Sequence, residues 1–263
     1  MSLLDYFDYD KPNDFHIYTL KKADVGKFLS AITVPFRHCY IIDGELNISA
    51  AKNGISRSEF LERYVLPDVG NIKSGDFGEM ISRFFVMAHY SAKGLTLISP
   101  KKWLWKEDRN KATPYTDVVA FYFPDTNKPS VDDFIVSVES KMKATPQDAN
   151  RLQDAIDGAR IDMLGKKRSK LSRLAKTLIW LDVKYSRIGD MENKKIIQRY
   201  LDPVTNGNYQ KIFKAIAIID KSLSEPEISD PVTNDDDIKK LLIIIDDLKG
   251  VYETNYHNIK GSV

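Results

Sequence analysis

The chain has 263 residues, of which 43% are hydrophobic and 11% aromatic, a composition typical of a folded globular protein and not of a disordered one. A single cysteine, Cys39, excludes an internal disulfide, and four scattered histidines give little support for zinc, so we expect no zinc site. The net charge is only +2, no apolar leader is evident, and the apolar runs are too short to span a bilayer, so we expect a cytoplasmic protein without membrane contact.

The first 70 residues predict an extension that precedes the core. Residues 36–42 predict a strand that runs to a turn at Asp43-Gly44. Ser56 and Glu59 have the spacing of a capping box and predict a short helix that ends before Pro67.

The central part of the chain predicts one helix followed by three strands. Apolar residues from Met80 onward indicate a buried helix with Glu79 in its first turns. Residues 95–105, 115–123 and 134–142 then predict the strands, with a turn-rich insertion at 124–133.

Two helices and two further strands are predicted after these strands. Thr145 and Pro146 indicate a helix start, and a second helix covers 171–181, although 178–183 also fits a strand. Residues 211–220 and 239–245 are rich in β-branched residues and predict strands. The pentapeptide Asp-Pro-Val-Thr-Asn precedes each of these strands, at 202–206 and 230–234; two copies are too few for a solenoid, so we interpret them as repeated turns.

The residues with the clearest chemical signal lie on the predicted central strands. Glu139 and Lys141 are two positions apart, so an extended strand directs both side chains to one face. Asp117 lies near the start of the neighbouring predicted strand. Two carboxylates and a lysine on adjacent strands indicate a metal-dependent hydrolytic site.

Each of these residues has a chemical role in that hypothesis. Asp117 and Glu139 supply the hard oxygen ligands that Mg²⁺ prefers, and Lys141 orients the attacking water, with a pKa that a cation and desolvation would lower. Ser140 faces the other way, so its backbone carbonyl is the expected further ligand, and Glu79 is a fourth candidate. Structural explanations stay open: a strand-end ion pair, a helix-dipole contact or a surface pair could account for the same residues.

Charge is unevenly distributed along the second half of the chain. Residues 166–187 are strongly basic, and 220–247 are acidic. The basic stretch suits a phosphate backbone, an acidic partner surface or a solvated helix face equally well. The candidate DNA contacts are Lys143, Lys166, Lys167, Arg168, Lys170 and Arg173.

The order of these motifs resembles that of a known superfamily. Asp117, then Glu139-Ser140-Lys141 at a strand end, preceded by a helix with Glu79, resembles the PD-(D/E)xK nucleases, whose core runs αβββαβ. The resemblance implies an α/β, restriction-endonuclease-like fold with a mixed β-sheet flanked by helices, and Mg²⁺ or Mn²⁺ as cofactor. The separation of Asp117 from Glu139 is longer than in compact members, which the insertion at 124–133 would explain.

A narrower resemblance covers nearly the whole chain. The segments 75–79, 116–119, 138–141 and 215–220 are similar to the HamA family, the nuclease subunits of Hachiman antiphage systems. This resemblance implies a DNA nuclease held by a helicase partner, HamB, and activated when damaged or invading DNA is sensed. The chain has no Gly-rich Lys-Ser/Thr phosphate loop, so any motor must be another polypeptide.

We therefore expect a metal-dependent DNA endonuclease that acts as the effector of a two-component defence complex. It should form one elaborated domain, with an extension at 1–70, the catalytic core and basic helices at 71–190, and further strands and a helix at 191–263. Two alternatives stay open: a non-catalytic DNA- or partner-binding subunit with a nuclease-like fold, and a stand-alone restriction endonuclease.

Overall fold

The computed structural model describes residues 2–12, 15–146, 149–166, 169, 171–201, 209–229 and 237–263. Both Asp-Pro-Val-Thr-Asn segments lie outside these described residues, so their predicted turns stay predictions. Within the described ranges, no helix combines the length and apolar character that a membrane span requires.

The chain alternates helices with strands. The helices are α1 (Val25–Tyr40), α2 (Asp43–Asn53), α3 (Arg57–Phe60), α4 (Gly70–Ser91), α5 (Arg151–Leu164), α6 (Arg173–Ile188), α7 (Met191–Leu201), α8 (Glu225–Ser229) and α9 (Leu248–Gly261). The strands are β1 (Phe7–Asp10), β2 (Phe15–Leu20), β3 (Val118–Tyr122), β4 (Phe134–Lys143), β5 (Gln210–Asp220) and β6 (Ile238–Ile245). Single 3₁₀ turns occur at Leu3–Tyr6, Lys22–Asp24, Lys102–Trp105 and Lys221–Leu223, and a π turn at Leu61–Val65.

These strands form one mixed sheet in the order β1-β2-β6-β5-β4-β3. The four central strands β2, β6, β5 and β4 are parallel, while β1 and β3 pair antiparallel at the two edges. The expected α/β class with a mixed, helix-flanked sheet is therefore confirmed.

Hydrophobic residues cover both faces of the sheet, because β4 and β5 alternate their side chains between two cores. On one face Val136 packs in the same cluster as Phe77 and Ile81 of α4. On the other face Ile135 packs in the same cluster as Ile156 of α5 and residues of α6. Buried parallel strands of this kind carry apolar residues on both sides, so a polar side chain within them is conspicuous.

Two predicted strands are wrong. Residues 36–40 instead form the end of α1, which contains Pro35. Ile41 and Ile42 connect it to α2, which begins at Asp43 where a turn was expected. Aromatic and β-branched residues favoured a strand here, but burying Phe36, Cys39 and Tyr40 in the core decided for helix. Residues 95–105 contain only an isolated bridge from Ile98 to Phe121 and a 3₁₀ turn, since Pro100 cannot donate to a ladder.

Two predicted helix starts also differ from the structure. Helix α4 begins at Gly70, so Glu79 lies in its third turn and not near its start. Helix α5 begins at Arg151, where Asn150 caps it by accepting the backbone N–H of Gln153; the expected start at Thr145 and Pro146 is wrong.

Other predicted elements are confirmed. The Ser56 side chain caps α3 by accepting the Glu59 N–H, and the helical segment ends at Val65, before Pro67. Residues 178–183 are helical within α6, which rejects the strand alternative. Strands β5 and β6 match the predicted runs to within one residue at each end.

Candidate active site

Glu139 and Lys141 lie side by side on the face of β4 that packs against α5. Lys141 Nζ donates to Glu139 Oε1 over 2.5 Å. The alternation of β4 directs Ser140 to the opposite face, where its hydroxyl is 2.8 Å from that of Ser82 on α4. The two-residue spacing therefore places the acid and the lysine together, as the sequence predicts.

Asp117 lies directly before β3, the strand that pairs with β4. The antiparallel register pairs Val118 with Val138, so the residue before it reaches the level of Glu139. Its Oδ2 accepts the backbone N–H of Ser140 over 2.8 Å, which fixes the carboxylate against β4. The edge of the sheet thus brings together two carboxylates that are far apart in the sequence.

Glu79 approaches this edge from α4. Its carboxylate accepts a hydrogen bond from the Thr113 hydroxyl over 3.0 Å. Burial, followed by the negative charge of Asp117, raises the pKa of Glu79 to about 8. Because Glu79 lies in the third turn, a contact with the helix N-terminal dipole does not explain its position.

Glu139 is nearly enclosed, with 3% of its surface exposed. Burial and then the charge of Asp117 raise its pKa to about 7, although Lys141 and Arg173 act in the opposite direction. Asp117 thus raises the pKa of both glutamates, Glu79 and Glu139, so it interacts electrostatically with each of them.

Lys141 keeps its proton in this arrangement. Burial lowers its pKa, but the charges of Glu139 and Asp117 outweigh that effect and the net shift is upward. About a third of the side chain, 32%, is exposed to solvent. The ammonium group is therefore a hydrogen-bond donor that solvent can reach.

A second ion-pair network supports Glu139 from α5 and α6. Arg173 donates to both Glu139 and Asp162, and to the Gly158 carbonyl over 2.8 Å. Asp162 is fully buried and also accepts from Thr116 over 3.1 Å and Ser137 over 2.8 Å. The sequence singled out Arg173 as a DNA contact and did not single out Asp162, because ion pairs between distant helices leave no local pattern.

Lys102 is a further polar residue that the sequence did not single out. It is 2% exposed, and its ammonium donates to the backbone carbonyls of Thr116 and Pro114. Burial lowers the pKa of Lys102, and the negative charges of Glu79 and then Asp117 raise it by less, so the net shift is downward. A lysine next to Trp103 in an apolar segment was the available signal, but that segment was interpreted as a strand.

The chemistry of this donor set suits a hard divalent cation. Within the described ranges, no group of three or more histidine, cysteine, aspartate or glutamate side chains is close enough to hold one metal ion. Magnesium, however, needs only one or two protein carboxylates together with water and substrate oxygens. Asp117 with Glu139 or Glu79 meets that requirement, and the pKa of both glutamates is raised first by burial and then by the charge of Asp117.

The predicted DNA-contacting residues differ in how accessible their charged groups are to a phosphate. Lys143 is buried, donates to the Ala149 carbonyl over 3.0 Å and pairs with Glu227 at 3.4 Å, so its ammonium is turned away from any phosphate. Arg173 is held by the carboxylate network described above, while Lys166 is exposed. Lys167, Arg168 and Lys170 lie outside the described residues.

The fold and this cluster define an α/β protein with acidic residues and a lysine at one edge of a mixed sheet. The HamA family model matches residues 2–260, so the chain belongs to the HamA family and is a component of Hachiman antiphage defence. No curated protein matches the chain.

Proposed function

We propose that this HamA protein is a magnesium-dependent DNA endonuclease, the effector that a helicase partner holds in a two-component complex. The observation that carries the proposal is that Asp117 is fixed against β4 next to the Glu139–Lys141 pair, while its charge also raises the pKa of Glu79. Buried carboxylates whose pKa values lie near neutrality, in contact with a solvent-accessible lysine, are characteristic of catalytic sites. The motif order of PD-(D/E)xK nucleases fits the same residues.

The roles follow from the contacts of each side chain. Asp117 and Glu139 are the proposed ligands, with Glu79 binding through water and the Ser140 carbonyl as a further ligand. A bound magnesium ion would neutralise phosphate charge and supply an activated water. Lys141, which stays protonated, donates hydrogen bonds that orient the water or stabilise the phosphate. Arg173 of α6 forms an ion pair with Glu139 and holds its carboxylate in position.

Supercoiled plasmid in Mg²⁺ tests the proposed activity, with the protein alone and with its helicase partner. We expect nicking or degradation that is lost in Glu139→Ala plus Lys141→Ala. Glu45→Gln and Lys52→Met are matched controls on the exposed surface of α2, and they should cleave like the unmodified protein. Equal cleavage by the double variant would overturn the assignment of the site.

The competing function is a non-catalytic binding subunit, and one observation favours it. Glu139 is already paired with two cations, Lys141 and Arg173, as in a purely structural cluster. Calorimetric titration with Mg²⁺ or Mn²⁺ separates the two functions. A nuclease should show saturable binding that Asp117→Asn abolishes, whereas a binding subunit should show none.

A further inference from the structure

A cavity lies on the other face of the sheet from Glu139, between the end of α4 and the first residues of β5 and β6. Its volume is about 340 Å³, large enough for a small organic ligand. Phe85 and Tyr90 of α4 line its apolar part, and four lysines, Lys93, Lys214, Lys239 and Lys240, also line it. No aspartate or glutamate lines the cavity in the part of the chain that the structure describes.

Two of these lysines lie against one aromatic ring. The Nζ atoms of Lys93 and Lys214 lie 5.7 Å and 5.6 Å from the centre of the Tyr90 ring. None of Lys93, Lys214 and Lys239 forms an ion pair with another described residue. Two ammonium groups that share a ring, in a cavity that no described acid lines, form a site with excess positive charge.

The charge is also partly removed from water. Burial, followed by the charges of Lys93 and Lys239, lowers the pKa of Lys214 to about 8. Burial and the same kind of repulsion, chiefly from Lys214, lower the pKa of His89 to about 4. Placing Lys214 on the inward face of a core strand costs stability, and an anion in the cavity would offset that cost.

We propose that this cavity binds a nucleotide, with its phosphate against Lys93, Lys214 and Lys239 and its base against the aromatic wall. A single inorganic ion would leave most of the volume and the apolar wall unused. Lysine ammonium groups bind phosphate as point charges, and aromatic side chains accept bases by stacking. The ligand is therefore an anion with a flat apolar part, supplied either by a free nucleotide or by the terminal nucleotide of a DNA strand.

This nucleotide site is separate from the candidate active site. Lys214 pairs with Val138, whose side chain lies in the core on the α4 face, whereas Glu139 faces α5. Along α4, His89 lies ten residues after Glu79, which is about 15 Å of helix. The proposal does not depend on nuclease activity, and binding can be measured in EDTA, where metal-dependent cleavage does not occur.

Calorimetry in EDTA with deoxyadenosine monophosphate, deoxyadenosine and inorganic phosphate tests the pocket. The nucleotide should bind at least ten times more tightly than either fragment, and Lys214→Met and Lys239→Met should each weaken binding at least tenfold. Lys211→Met is the matched control, because Lys211 is an exposed lysine three positions before Lys214 on the opposite face of β5. Lys214→Met removes a poorly solvated charge, so it should fold at least as stably as the unmodified protein, and Lys214→Arg should retain binding.

The same assay with short oligodeoxynucleotides distinguishes the two sources. A strand-end site should bind a 5′-phosphorylated oligonucleotide more tightly than the 5′-hydroxyl form and than the mononucleotide, whereas a site for free nucleotides should prefer the mononucleotide. Three results would overturn the proposal: no nucleotide binding at millimolar concentration, equal affinity for inorganic phosphate, or binding that the lysine variants leave unchanged.

Discussion

Gly158 of α5 lies directly against Glu139 of β4. A Cβ atom on this glycine would be 2.5 Å from the Cγ, Cδ and Oε1 atoms of the glutamate. Glu139 cannot easily move aside, because it is buried and held by Lys141 and Arg173. The absence of a side chain at position 158 is thus what allows the carboxylate to lie under the helix.

We expect Gly158→Ala to destabilise the protein even though alanine favours helix. Overpacking lowers the free energy of unfolding by about 1–3 kcal/mol, and the higher helix propensity of alanine offsets about 1 kcal/mol of this loss. Gly75→Ala in α4 is the matched control, because no atom lies within 4 Å of its Cβ position, and it should stabilise the fold. Urea unfolding measures both changes. A Gly158→Ala variant as stable as Gly75→Ala would show that Glu139 is free to move.

Removing Arg173 should cost more than removing a surface arginine. Arg173→Met leaves the buried carboxylates of Asp162 and Glu139 without their shared cation, which should lower the free energy of unfolding by about 3 kcal/mol. Arg63→Met breaks only an exposed pair with Glu59 on successive turns and should cost about 0.5 kcal/mol. Equal losses in urea unfolding would contradict a supporting role for Arg173.

Stability should decrease as the pH rises through neutrality. Folding raises the pKa of Glu79 from 4.5 to about 8 and that of Glu139 from 4.5 to about 7. The folded state therefore binds more protons, and the stabilisation is complete below pH 4.5 and lost as the pH rises through these folded values.

Metal-free thermal unfolding as a function of pH checks this dependence. The Tm of Glu79→Gln and of Glu139→Gln should fall less steeply toward alkaline pH than that of the unmodified protein. Glu45→Gln on the exposed surface of α2 should follow the unmodified curve. Parallel curves for all four proteins would mean that neither buried glutamate has a raised pKa.

Asp117→Asn should change the titration of two other residues. The charge of Asp117 raises the pKa of both Glu79 and Glu139, so its removal should lower both values. Carbon-13 NMR of the glutamate carboxyl groups in EDTA would show both shifts in one experiment. Asp68→Asn is a control, because Asp68 is an exposed acid paired with Arg109 and contributes to neither shift.

Part of the site could be predicted from the sequence, because it follows from the two-residue period of a strand. That period placed Glu139 with Lys141, turned Ser140 away, and brought Asp117 close through strand pairing. The signal for Lys214 was also present, since a lysine interrupts the inward series of isoleucines in β5.

The support around Glu139 could not be predicted from the sequence. Asp162 and Arg173 meet Glu139 only because α5 and α6 pack against the sheet, and no local spacing encodes that meeting. The strand predicted at 36–42 failed for the same reason, since burial in the core overrode local propensity. The spacing of residues within one strand predicted which side chains share a face. Contacts between different elements could not be predicted from the sequence.

Lys102 donates hydrogen bonds to the backbone before β3 and also lies near the carboxylates of the site. Its removal should affect the backbone contacts and the carboxylates. In Lys102→Met, the carbonyls of Thr116 and Pro114 lose their donor, and Glu79 and Asp117 lose a nearby positive charge. The pKa of Glu79 should therefore rise further, because the charge of Lys102 lowers it in the unmodified protein. Carboxyl NMR titration reads this shift, and Lys101→Met on the neighbouring residue is the control. A Glu79 titration that is the same in both variants would mean that Lys102 supports only the loop around Thr116.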